Sequence, residues 1–186
     1  MKCLLSITAA AALLAPWAVK AQQALLPAQS ELAFVSRQMG VPVEGRFKSF
    51  SAQVAFDPAR LASSSVAFTV DMGSADVSRE VNAELPKPVW FNVAAFPKAT
   101  FQSSSIRRLG ANQFELSGKL SVKGLSSDVV VPVTLSQNGA TTTASGTFPI
   151  KRLSFRVGDK EWADTSMVAD EVQVRFKFAL SGVPKL

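Results

Sequence analysis

The densest group of reactive side chains in this 186-residue sequence is Asp159-Lys160-Glu161-Trp162-Ala163-Asp164, followed by Asp170-Glu171. Carboxylate oxygens at short spacing are what a hard cation such as calcium needs, but the run matches no EF-hand loop and carries Lys160 inside it. It reads as a solvated loop between strands, with Trp162 packing inward. Paired acids for glycoside hydrolysis would need an apolar setting and a substrate cleft, and the cluster signals neither. Histidine is absent, which removes the commonest general base and metal ligand. Ser103, Ser104 and Ser105 lie in a strand-like run with no partner base. Gly118-Lys119 has the look of a phosphate loop, but Leu120 stands where Ser or Thr is required and Gln113 where the first Gly belongs. No catalytic residue, metal site or cofactor is nominated.

What the sequence supplies instead is apolar aromatic surface: thirteen Phe and three Trp, with no Tyr. Phenylalanine lines an apolar space without bringing a hydroxyl that must find a partner. The most distinctive stretch is residues 85–103, where Pro86, Pro88 and Pro97 break any regular element and Trp90, Phe91 and Phe96 need an apolar place to go.

Around this stretch the elements read as an antiparallel β protein. Residues 31–37 alternate weakly. Residues 47–56 form one run, with Phe50, Ala52, Val54 and Phe56 on one face before Asp57-Pro58. Residues 65–71 alternate, and residues 72–97 break the rhythm with a short helix over 78–85, capped by Ser78 and stopped by Pro86. A meander follows: 98–109, 113–122, a turn at 124–128, 129–136, then Asn138-Gly139 as the centre of a type I′ turn, and 141–148. In the last run, 171–180, Val172, Val174, Phe176, Phe178 and Leu180 share one face against Gln173, Arg175 and Lys177. About eight strands with one strongly apolar face fit a sandwich or a closed barrel, and periodicity does not choose between them.

Apolar residues make up 47% of the chain and charged residues 18%, which suits one domain with a sizeable core. Lys2, the apolar run 4–15 and Val19-Lys20-Ala21 match a cleaved secretion signal over 1–21, leaving a domain over 22–186 and a periplasmic location. Cys3 falls within that signal, so no thiol is expected in the mature chain. The formal charge of +6 falls by two when Lys2 and Lys20 are removed. Arg46, Lys48, Arg107, Arg108, Lys151, Arg152, Arg175 and Lys177 are scattered at strand spacing, as on solvated outer faces, and no basic stripe with exposed aromatics announces nucleic-acid binding.

Taken with Met39-Gly40-Val41 and Gly45-Arg46-Phe47, the proline-aromatic stretch resembles the YceI-like family over residues 25–182. The resemblance implies a single antiparallel lipocalin-like barrel that holds a long isoprenoid or similar amphiphilic lipid, for transport, storage or sequestration, without catalysis or metal. The lining residues it implies are Phe34, Met39, Phe47, Phe68, Trp90, Phe91, Phe96, Phe101, Phe148, Phe155, Trp162, Val174, Phe176 and Phe178. Positions where the family carries histidine read Gln38, Glu84 and Lys123 here, and an acidic-aromatic motif reads Val89-Trp90-Phe91-Asn92. A homodimer and a membrane-associated redox partner stay open, as does a second reading: a structural or stress-response interaction module whose barrel is filled by its own side chains.

Overall fold

The computed structural model describes residues 22–186, and the expected secretion signal lies outside the described residues. In chain order the elements are β1 (Ala24–Leu25), β2 (Glu31–Gln38), β3 (Val41–Phe47), β4 (Phe50–Ala55), β5 (Ser65–Asp71), β6 (Ala75–Asp76), α1 (Arg79–Glu84), β7 (Lys98–Arg108), β8 (Gln113–Val122), β9 (Leu125–Asn138), β10 (Thr141–Lys151) and β11 (Glu171–Ser181). All pair antiparallel in one sheet, in the order β4-β5-β7-β8-β9-β10-β11-β2-β3-β6, with β1 against β11.

The sheet closes through one bent strand. β3 bonds to β2 and β4 bonds to β5, yet only Lys48 and Ser49 separate β3 from β4 in the chain. Counting β3 and β4 as one gives an eight-walled antiparallel barrel. At the bend the backbone leaves the ladder for the 72–74 turn: Lys48 N donates to Ser74 O (3.1 Å), Ser49 N to Ser74 Oγ (3.0 Å), and Asp71 N to Ser49 O (3.0 Å). The run expected over 47–56 is therefore the second half of a longer strand. Its first half, β3, is masked in the sequence by Pro42 and Gly45. Pro42 is tolerated because β3 has a partner on its other side only at Arg46 and Phe47.

Two turns shift from their expected places. The β8–β9 turn is Lys123-Gly124, both at positive φ (51° and 75°), so Ser126, Ser127 and Asp128 already belong to β9. At the β9–β10 turn Asn138 pairs with Thr141, leaving Gly139-Ala140 as the central residues. Positive φ occurs at Gly139 alone (58°), which fits the mirror turn with glycine first rather than type I′.

The strand directions set two unlike ends. At one end Phe56, Phe114, Leu135, Leu180 and Val183 are buried together, with Phe114 only 1% exposed and its ring edge-on to Phe56 at 5.2 Å. Gln23 mimics a strand partner there: its amide donates to Phe56 O (2.7 Å) and accepts from Phe56 N (2.9 Å). Gln137 Nε2 bonds Val183 O (3.3 Å) and Leu186 N bonds Gln137 Oε1 (3.3 Å), so the C-terminal tail is pinned across this floor. The other end carries the β2–β3 and β8–β9 turns and the two long connections, 72–97 and 152–170.

Candidate functional site

The interior holds two adjoining cavities, about 220 Å³ toward the floor and about 500 Å³ at the mouth. Phe47, Val122, Ile150 and Val174 line both, forming a waist between them. Apart from Thr100 and Thr142 the inner compartment is bounded only by apolar side chains, because alternation turns one face of every wall strand inward. Of the expected lining, Phe68, Phe101, Phe148, Phe176 and Phe178 stand here. Phe178 on β11 stacks on Phe68 of β5 at 4.6 Å and on its own strand neighbour Phe176 at 5.0 Å. Phe50 packs against both Phe68 (5.6 Å) and Phe178 (5.7 Å). Phe178 on β11 thus meets rings of β4 and β5, strands it does not pair with, so these contacts reach across the interior.

The outer compartment is roofed by the two long connections. Ser78 caps α1, its hydroxyl accepting from Val81 N at 3.3 Å, and Val77, Glu80, Val81, Glu84 and Leu85 line the space beneath. After Pro86 the chain coils tightly, with Phe91 N on Leu85 O (2.9 Å) and Asn92 N on Lys87 O (3.0 Å), which turns Trp90 and Phe91 toward the barrel. Phe34, Met39, Phe155 and Trp162 complete the expected residues found here. Trp162 lies 5.5 Å from Trp90 but remains 38% exposed, a rim position rather than the inward packing expected. Phe96 lines neither cavity; its ring lies under Gly124, where an added Cβ would come within 2.7 Å.

Two cations hold the roof, and neither role was apparent in the sequence. Arg152, expected on an outer face, is 4% exposed. Its guanidinium donates to five backbone carbonyls: Ala169 (3.0 Å), Val157 (3.0 Å), Gly158, Trp162 (2.7 Å) and Val168 (2.6 Å). That uses every N–H of the fork and fixes the 152–169 connection around one side chain. Burial lowers the Arg152 pKa, and nearby Asp170 opposes the shift. Lys123 Nζ donates to Arg156 O (2.6 Å) and Val89 O (3.2 Å), tying both roof segments to the β8–β9 turn. Burial lowers its pKa too, with Asp159 opposing and Lys160 and Arg156 reinforcing. The three positions where the resemblance places histidines thus gather at this mouth: Gln38 and Glu84 line it, and Lys123 laces its roof.

The carboxylates of the 159–171 run do not converge. Asp164 accepts from the Ser166 hydroxyl (2.7 Å) and amide (2.9 Å), which hold its pKa below the usual range, while Asp170 Oδ1 accepts from Leu153 N (3.0 Å). Among the described residues no group of three or more His, Cys, Asp or Glu side chains is placed to hold a metal ion.

The model of the YceI-like domain matches residues 24–180 of this chain. The chain belongs to the YceI-like family. Protein YceI of Salmonella arizonae is 28% identical over 143 residues, covering 74% of each chain. A UPF0312 protein of Vibrio cholerae is 27% identical over 135 residues, covering 70% of this chain and 71% of its own. Among solved structures, Burkholderia cenocepacia BcnA superposes with a TM-score of 0.81 at 48% identity, covering 83% of this chain and 98% of BcnA. A polyisoprenoid binding domain from Saccharophagus degradans shares the YceI-like fold at 14% identity, with a TM-score of 0.69 over 86% of this chain and 98% of that domain.

Proposed function

We propose that this protein holds one molecule of a long isoprenoid or similar amphiphilic lipid, its chain in the inner compartment and its polar end at the mouth, and that it carries out no reaction. The observation that carries the reading is the apolar lumen, blind at the pinned floor and open toward a roof with polar side chains. Cavities of a few hundred Å³ with largely apolar walls are of the kind that take small amphiphiles. Covering ~500 Å² of isoprenoid chain is worth roughly 12 kcal/mol of transfer free energy. Association and ordering cost ~4–15 kcal/mol, so useful affinity survives when the site is well formed. The polyisoprenoid binding of the Saccharophagus domain supports this reading through the shared fold.

The expected secretion signal would place the protein in the periplasm as a carrier, store or sequestering agent; N-terminal sequencing of a periplasmic fraction should begin at Gln22. Organic extraction of the purified protein followed by mass spectrometry tests the binding itself. An amphiphile near one per chain supports it. The aromatic contacts across the interior favour one competitor, a barrel filled by its own rings. That reading wins if no lipid is extracted and none is taken up afterwards.

A further inference from the structure

We propose that the outer compartment selects amphiphiles with an uncharged, hydrogen-bonding head group, such as a hydroxyl or carbonyl, over those ending in phosphate or diphosphate. This rests on the lipid-binding reading and adds the chemistry of the head. The inner compartment offers no charged group, so a bound lipid's polar end must lie at the mouth. The charged residues lining the mouth are Arg152, Glu80 and Glu84.

The arginine is the obvious anion receptor and it is spent: all its donors are committed to the carbonyls of its own loop, so a phosphate could bind it only by breaking that loop. Glu84 pairs with Lys87 (2.6 Å) on the roof. Glu80 has no cationic partner among the described residues; it accepts from the Ser78 hydroxyl (3.0 Å) and stands at the rim of the compartment as a solvent-exposed carboxylate. A phosphate brought here would meet that like charge, softened by its solvent exposure, and would find no uncommitted cation among the residues lining the mouth. Ser36 and Gln38, which also line the mouth from β2, make no side-chain hydrogen bond within the described residues and can serve a neutral oxygen.

The test is a paired titration of delipidated protein with geranylgeraniol and geranylgeranyl diphosphate, which share a tail and differ only in the head, followed through the fluorescence of Trp90 and Trp162. The alcohol should bind at least about tenfold more tightly than the diphosphate. Glu80→Gln should narrow that ratio by strengthening diphosphate binding and leaving the alcohol unchanged. Equal or tighter binding of the diphosphate by the unmodified protein would overturn the head-group assignment and leave lipid binding standing. Saturable binding of neither compound would overturn both.

Discussion

At the scale of single residues, Arg152 and the lumen phenylalanines make opposite demands. Replacing Arg152 by Met would leave five buried or half-buried carbonyls without their donor. Each unpaired polar group costs ~1–3 kcal/mol, so a loss of at least ~3 kcal/mol is expected in urea unfolding. Arg152→Lys should recover only part of it, since an ammonium has three donors and no planar fork. Phe114 and Phe176 make a second contrast. Phe114 is sealed into the floor, and Phe114→Ala should cost ~3–5 kcal/mol. Both rings border the inner cavity, but Phe176 is only half-buried, so Phe176→Ala should cost distinctly less while weakening lipid binding, measured on the same preparations. Core-sized losses at both positions with unchanged lipid uptake would argue for a self-filled barrel.

At the scale of elements, the roof depends on two charges, one a carboxylate and one an ammonium, whose pKa values are both lowered by folding. Asp76 joins β6 to β3 and α1: its carboxylate takes Lys48 at 3.1 Å, Asn82 Nδ2 at 3.1 Å and Arg46 at 3.3 Å. The hydrogen bonds from Lys48 and Asn82 lower its pKa below the ordinary 3.8. A carboxylate lowered in the folded state stabilises above its unfolded value, and that stabilisation disappears as pH falls through 3.8 toward the lower folded value. Urea unfolding of the unmodified protein should therefore weaken below about pH 4, and Asp76→Asn should flatten part of that dependence. Lys123, lowered by burial from its ordinary 10.5, has the same sign in an alkaline window: stability rises as pH climbs through its folded value toward 10.5.

The elements also show what alternation could and could not reveal. β5 occupies the run expected over 65–71, and β11 extends the one expected over 171–180 by a single residue, because an apolar stripe facing a barrel interior has only one register. β3 escaped because proline and glycine weaken a strand signal, yet here they sit on an edge and at a crowded inner face. Arg152 escaped for another reason: its partners are carbonyls 5 to 17 residues further along the chain, and their convergence depends on how a loop folds rather than on any local pattern. Of the fourteen residues expected as lining, thirteen border one of the two cavities. Phe96 stood apart because its ring serves the β8–β9 turn, a contact no periodicity encodes.

In the whole molecule a closed barrel, a pinned floor and a laced roof form a container with one polar end, proposed above to take up a long-chain amphiphile. Native mass spectrometry of the purified protein, delipidated and then incubated with geranylgeraniol, tests this most directly. The account predicts a single bound species whose mass exceeds that of the free chain by one alcohol molecule, saturating at one per protein. A spectrum that shows only the free chain at saturating alcohol, from protein whose unfolding curve is intact, would contradict it.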